Sequence, residues 1–236
     1  MRRPASIAII IPALNEQDAI GRVIKDIPTA LVQQVIVVDN GSSDNTAEAA
    51  AEAGAQIVKE PIRGYGQACL AGMQALRDPD IVVFLDGDHS DHPEELSLLV
   101  SPIIEGRADI VVGSRVLGRR EPGALTLQAR LGNGLAIALM RILFGARFTD
   151  LGPFRAIRYQ SLSMLNMADR NYGWTVEMQV KAVSGGLRCI EVPVSYRRRI
   201  GVSKISGTVK GAVQAGCKIL WTIFRCAISS QSNRST

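Results

Sequence analysis

Four short runs of apolar, mostly β-branched residues recur along the chain: SIAIII (6–11), QVIVV (34–38), DIVVFL (80–85) and ADIVVG (108–113). Strands that are apolar at nearly every position must be covered on both faces, which is the situation of a parallel sheet between helical layers. A weaker run, AQIVKE (55–60), is expected nearer a sheet edge. Between the runs, EQDAIGRVIKDI, DNTAEAAAEAG and GQACLAGMQAL carry helical spacing, with Asp44 placed to cap the second helix and Gly54 to end it. Strands alternating with helices predict βαβ units, hence an α/β fold with a mostly parallel sheet flanked by helices.

Ligands of such sheets bind beyond the carboxyl ends of the strands. Each main run here ends in a polar cluster: Pro12-Ala13-Leu14-Asn15-Glu16, Asp39-Asn40-Gly41-Ser42-Ser43-Asp44, Asp86-Gly87-Asp88 and Gly113-Ser114-Arg115. The topology therefore predicts that all four meet at one edge. Past residue 116 the pattern changes. LTLQARLGNGLAIALMRILFG reads as an apolar helical segment broken by Gly132 and Gly134; DLGPFRAIR, a helical YGWTVEMQVKAVSGG, a strand LRCIEVPVSY and the basic loop RRRIGVSKISG follow. The last segment reads as an amphipathic helix over 208–228. Val209, Val213, Leu220 and Ile223 lie on one face and Lys210, Gln214, Lys218 and Arg225 on the other. A polar tail covers 229–236. With no Pro/Gly/Ser linker in view, this second half is expected to pack onto the first, residues 1–207 forming one catalytic domain.

The crowding in VVFLDGDHSDHPEEL needs explanation. Two carboxylates about 4 Å apart repel by roughly 4 kcal/mol at an effective dielectric of about 20. A divalent ion reverses that sign, and Mg2+ or Mn2+ prefers such oxygen ligands while also bridging substrate phosphates. An isolated DxD is more often a solvated loop or a helix N-terminus; its place after a buried apolar strand shifts the reading towards a metal. His89 and His92 read as surface histidines. Asp39, directly after QVIVV, suits contact with a nucleotide base or ribose, and Asp44 suits the turn and the helix cap. Arg63-Gly64-Tyr65-Gly66 opens a helix whose free amides suit an anion. Arg115, Arg130, Arg198 and Lys204 can pair with phosphate, although a solvated basic face accounts for any one of them singly.

Other classes are disfavoured. The composition, 47 % apolar and 21 % charged, is that of a folded α/β protein. The net charge of +5 is compatible with nucleic acid, an anionic membrane surface or a phosphorylated substrate and does not choose among them. Aromatic residues, at 5 %, are not interleaved with the basic patches, so nucleic acid is not an expected partner. Cys69, Cys189, Cys217 and Cys226 lack zinc or disulfide spacing and read as reduced thiols of a cytoplasmic protein. Pro12, Asn15 and Glu16 cut short the apolar start, which reads as a first strand and not a secretory signal. No run is long enough to span a bilayer. There is no P-loop and no Ser-His-Asp order.

In order along the chain, PALNE, VIVVDNGSSDNT, RGYGQACLAGM, FLDGDHSDHPEEL, VVGSR, DLGPFRAIR, VEMQVKA and RRIGVSKISG resemble the family-2 glycosyltransferases of the GT-A fold. Within them the set is most similar to the dolichyl-phosphate mannose and dolichyl-phosphate glucose synthases. The resemblance runs from about residue 6 to 208. It implies inverting transfer of a hexose from a nucleotide-diphospho-sugar, of the GDP-mannose or UDP-glucose type, to a polyprenyl phosphate. It also implies residue roles. Pro12, Glu16 and Asp39 would hold the nucleoside; Asp86 and Asp88, with Ser90 nearby, would bind the cation. Arg115 and Arg130 would steady the phosphates, and Arg198 and Lys204 would clamp them from a loop. Asp150 opens a segment that here reads DLGPFR, with Gly-Pro where many members have Ser/Thr-Gly.

A phosphate acceptor arrives ionised and needs charge control more than a base. A hydroxyl acceptor, on a glycolipid or a small molecule, would require a base, with Asp91, Asp150 and Glu177 as candidates. A sugar nucleotidyltransferase would carry a Gly-rich, lysine-bearing signature where PALNE stands, and a non-catalytic nucleotide-binding module need not keep Asp86, Asp88, Arg198 and Lys204 together. The C-terminal helix, with Trp221 and Phe224 beside lysines, suits peripheral contact with the inner face of a membrane; core packing or a homodimer face are the alternatives.

Overall fold

The apolar runs pair as their two-sided burial demands. The computed structural model describes residues 3–201 and 209–232. Its strands are β1 (Ile7–Ala13), β2 (Gln34–Asp39), β3 (Gln56–Lys59), β4 (Ile81–Phe84), β5 (Ile110–Ser114), β6 (Arg155–Arg158) and β7 (Cys189–Pro193). They form one sheet in the order β3-β2-β1-β4-β6-β5-β7. Only β6 runs antiparallel to its neighbours β4 and β5; the other pairings are parallel. The weak AQIVKE run is the edge strand β3, as its composition predicts. DLGPFRAIR, to which the sequence reading assigns no element, supplies β6.

The helices are α1 (Ile20–Lys25), α2 (Thr46–Glu52), α3 (Tyr65–Gln74), α4 (Leu96–Ile104), α5 (Leu127–Phe144), α6 (Tyr159–Leu165), α7 (Trp174–Ser184) and α8 (Val209–Ser232). Because the pleat sends alternate residues to opposite faces, β1 gives Ile9 and Ile11 to the layer covered by α1, α2 and α4, and Ile10 to the other. In that second layer Phe84 meets Trp174 edge-on, with centroids 5.8 Å apart, and α3, α5, α6, α7 and α8 close over it.

Two expectations are corrected. α5 runs unbroken through Gly132 and Gly134. Both glycines are exposed, and each costs about 1 kcal/mol relative to alanine; burial of Ala136 and Met140 on the same helix holds it together. α8 buries a different stripe from the one expected: Ala215, Thr222, Ile223 and Cys226 face inward, and Val213 is 58 % exposed. The reason lies in its partners, for α8 packs between α5 and α7. Lys218 reaches Asp169 at 2.9 Å and Arg225 reaches Glu177 at 3.4 Å, so these two cations serve buried acids instead of a solvated face. Among the described residues no helix is long and apolar enough to cross a membrane.

Candidate functional site

Parallel register brings the strand ends together. Ala13 pairs with Asp39, and Ile10 with Phe84, so the polar clusters after β1, β2 and β4 share one edge. There they line a cavity of about 490 Å3, together with Arg63, Gly64, Tyr65, Asn171, Tyr172 and Arg199. That size suits a nucleotide-sized ligand. Pro12, Glu16, Gly64, Asp86 and Asp88 of the expected site line it.

Asp86 and Asp88 therefore face the same space. The Tyr65 hydroxyl donates to Asp86 Oδ1 at 3.0 Å. Burial, then the neighbouring Asp88 charge, pushes the Asp86 carboxyl up to about 7. Asp88 divides its oxygens. Oδ1 accepts from the Ser90 amide at 2.9 Å and hydroxyl at 2.5 Å, and Oδ2 pairs with Arg199 Nη1 at 3.1 Å. Arg199 Nη2 lies 2.6 Å from Glu16 Oε1. Two hard carboxylates lining one cavity, Asp88 held by a guanidinium and Asp86 by a tyrosine hydroxyl, are a donor set that fits Mg2+ or Mn2+. Among the described residues no cluster of three or more His, Cys, Asp or Glu side chains could hold a metal, and two carboxylates completed by substrate phosphate is the coordination Mg2+ ordinarily takes. Ser90 is fully buried, with its hydroxyl turned onto Asp88, where it orients the carboxylate.

The remaining expected residues sit elsewhere. Asp39 Oδ1 accepts from the Ser42 amide at 3.0 Å and Asp44 Oδ1 from the Thr46 amide at 3.1 Å, so both shape the loop into α2. Arg115 grips Asp150 bidentately, both contacts at 2.8 Å, and lies 5.1 Å from the centre of the Tyr196 ring. Burial opposes the Arg115 charge, but the hydrogen bonds to Asp150 prevail and raise its pKa. Arg130 is exposed on α5. Arg198 donates to the Pro122 carbonyl at 2.7 Å, away from the cavity. Lys204 lies outside the described residues.

The glycines of the RGYG turn serve close approach. A Cβ on Gly66 would stand 2.0 Å from the Asp169 carbonyl oxygen, and one on Gly64 (φ +152°) 2.1 Å from that of Arg170. Their absence lets the Gln67 amide reach Arg170 O at 3.0 Å and brings Asn171 and Tyr172 to the cavity wall. The Gly64 amide is engaged by Asn40 Oδ1 at 2.8 Å. Asn40, Asn171, Tyr172 and Arg199 were not picked out as site residues in the sequence; Arg199 sits beside the chosen Arg198 in the same arginine triplet.

Of the three candidate bases, Asp150 is held by Arg115. Glu177 accepts from the Ala168 and Asp169 amides and pairs with Lys181 at 3.0 Å. Asp91 is buried, its two carboxylate oxygens without a hydrogen-bond partner. Burial, then Asp86 and Asp88, raises its pKa well above the ordinary value. None of the three lines the cavity.

Comparison with known proteins agrees with this architecture. The sequence pattern described as "Glycosyl transferase family 2" matches residues 8–165. The uncharacterized glycosyltransferase Rv0539 of Mycobacterium tuberculosis is 37 % identical over 213 residues, covering 89 % of this chain and 94 % of that one. A dolichyl-phosphate hexose transferase of Haloferax volcanii is 33 % identical over 211 residues, covering 87 % and 89 %. Glucosyl-3-phosphoglycerate synthase of M. tuberculosis, solved with Mn2+, UDP-glucose and phosphoglyceric acid, superposes with a TM-score of 0.77 at 25 % identity, covering 94 % of this chain and 80 % of that one. The chain belongs to glycosyl transferase family 2 and is a glycosyltransferase of the GT-A fold.

Proposed function

We propose that the enzyme transfers a hexose, with inversion, from a nucleoside-diphosphate sugar to a polyprenyl or dolichyl phosphate, with Mg2+ or Mn2+ held by Asp86 and Asp88. The observation that carries this reading is the division of charge at the site. The cavity concentrates Glu16, Asp86, Asp88, Arg63 and Arg199, while Asp150 and Glu177 are committed to ion pairs and Asp91 lies behind the wall. A site so equipped suits an acceptor that arrives as an anion. The names of the haloarchaeal relative and of a mycobacterial polyprenol monophosphomannose synthase, 29 % identical over 222 residues, support a lipid phosphate.

When bound, the cation supplies neutralisation of the charge that grows on the departing diphosphate. The chain's own residues do the rest. Ser90 and Tyr65 hold Asp88 and Asp86 in orientation. Arg63 and Arg199 contribute positive potential at the diphosphate end; the family motif R-x-x-G-x-S-K would give the acceptor phosphate to Arg198 and Lys204, which requires Arg198 to leave the Pro122 carbonyl it holds in this structure. Pro12, Glu16, Asn40 and Gly64 form the nucleoside end, with Asp39 and Asp44 setting the loop beside it.

A lipid acceptor must be met at a bilayer, and one face of the molecule suits that encounter. α5 exposes Leu127, Leu131, Leu135 and Ile142, and the adjacent α8 exposes Val213, Trp221, Phe224 and Ile228. No Asp or Glu occurs from residue 122 to 149 or from 192 to 236, whereas Arg130, Arg141, Arg147 and Lys210 do. An apolar face free of negative charge fits an anionic membrane surface better than a second copy carrying the same sign. On this reading the enzyme works from the cytoplasm, peripheral to the inner face of the membrane.

The test is transfer of radiolabelled hexose from UDP-glucose and GDP-mannose, with Mn2+, to three acceptors in parallel: polyprenyl phosphate, the free polyprenol and phosphoglyceric acid. Product on the lipid phosphate alone is the expected result. Product on the polyprenol or only on the soluble acid overturns the acceptor assignment while leaving the donor chemistry standing.

A further inference from the structure

Arg199 occupies an unusual position for a phosphate-binding arginine, because both of its terminal nitrogens are already taken by the chain. It spans Glu16 Oε1 at 2.6 Å and Asp88 Oδ2 at 3.1 Å. Both acids are largely buried. Its Nε is also buried and has no hydrogen-bond partner. The segment that carries it is clamped to the DGD loop on both sides. The Arg197 amide donates to Ser90 O and the Ile200 amide to Asp88 O, each at 2.9 Å, and the Arg197 side chain reaches His89 O at 2.7 Å. Arg199 is thus delivered to Asp88 by its backbone and does not drift there as a long solvated side chain.

The remaining valence of Asp88 decides what this means. Oδ1 is engaged by Ser90, so Oδ2 is the oxygen open to a cation, and it is the one Arg199 holds. A divalent ion held there would have to displace or share the guanidinium. With no anion at hand, the displaced guanidinium keeps only Glu16, and the two cations compete for the carboxylates of Glu16, Asp86 and Asp88. A diphosphate removes the conflict, since it gives the released guanidinium two oxygens to pair with and gives the unsatisfied Nε an acceptor. We infer that Arg199 is a stand-in cation. It holds Glu16 and Asp88 together before the donor arrives, and its transfer from Asp88 to the diphosphate makes cation binding and nucleotide binding cooperative. This inference rests on the donor and metal reading above and assigns Arg199 as a positioning residue whose effect is a coupling between two ligands.

Electron paramagnetic resonance of free Mn2+ tests it without any turnover. Wild type, Arg199→Met and Arg199→Lys are titrated with Mn2+ alone and with saturating UDP or GDP, after circular dichroism melts show that each is folded. For wild type the nucleotide is expected to tighten Mn2+ binding by about tenfold or more. Arg199→Met is expected to bind Mn2+ alone roughly tenfold more tightly than wild type and to lose most of the nucleotide-dependent gain. Arg199→Lys, which keeps the charge but cannot span both acids, is expected to fall between, and it carries the test if the methionine variant does not fold. Arg199→Met binding free Mn2+ no better than wild type, with the nucleotide gain intact, overturns the role of Arg199 alone. Wild type that binds Mn2+ in neither condition overturns the donor and metal reading itself.

Discussion

Asp88 shows how much chemistry one side chain can carry when its two oxygens have separate partners. Ser90 fixes Oδ1 and Arg199 reaches Oδ2, so changing the charge while keeping the shape is the informative substitution. Asp88→Asn is expected to lower donor turnover by on the order of 100- to 1,000-fold in kcat while the thermal melt keeps its cooperative shape; undiminished turnover would remove the metal assignment. The DGD pair was legible in the sequence because its carboxylates crowd the end of a buried apolar run, where a solvated loop explains them less well than it explains an isolated DxD. The functional arginine was less so. In extended backbone, neighbours point to opposite sides, so of Arg197, Arg198 and Arg199 only alternate members share a face. Which face looks into the cavity depends on the hydrogen bonds from Arg197 and Ile200 to the 88–90 loop, and that long-range register leaves no local mark. Arg155 is buried for a structural reason that no local pattern announces. It is an arginine with no exposed surface, satisfied by the carbonyls of Leu151, Gly152 and Thr175.

At the level of elements, burial on both faces made the parallel strands legible as unbroken apolar runs. β6 escaped because it is four residues long and two of them are arginines. α5 was expected to break because two glycines argue against a helix locally, while the packing that overrides them is tertiary. The outer end of the sheet is fastened by charge. Asp109, beside β5, takes two bonds from the Arg188 guanidinium, at 2.9 and 2.7 Å, and Arg188 precedes β7. Hydrogen bonding to Arg188 lowers the Asp109 pKa to about 2. A carboxyl whose pKa is depressed on folding stabilises above its unfolded value near 3.8 and loses that contribution as pH falls towards 2. With allowance for solvent screening of the half-exposed arginine, the contribution is on the order of 1 kcal/mol. Asp109→Asn is therefore expected to lower the urea midpoint at pH 7 and to converge on wild type as pH falls from about 4 to about 2. A deficit that persists unchanged at the lowest pH would assign the effect to packing.

For the molecule as a whole, the acid-free face of α5 and α8 gives the strongest directional property. Vesicles of phosphatidylglycerol in phosphatidylcholine are expected to carry the protein upward in a flotation gradient at low salt, and pure phosphatidylcholine vesicles are not. Leu131→Glu and Trp221→Glu, at positions 67 % and 62 % exposed, should each weaken flotation without lowering the melting temperature appreciably. Full-length protein that stays at the bottom with anionic vesicles would leave that face without its assigned partner. The strand order carries a different consequence, one of timing. β6 lies between β4 and β5 in the sheet but follows both in the chain. As the ribosome extends the polypeptide, β1 to β4 can pair early, whereas β5 finds its berth only after residues 155–158 have emerged. Until then β4, buried along its whole length in the finished protein, presents a bare hydrogen-bonding edge to the cytosol. The middle of translation is thus the interval in which this chain depends most on chaperones.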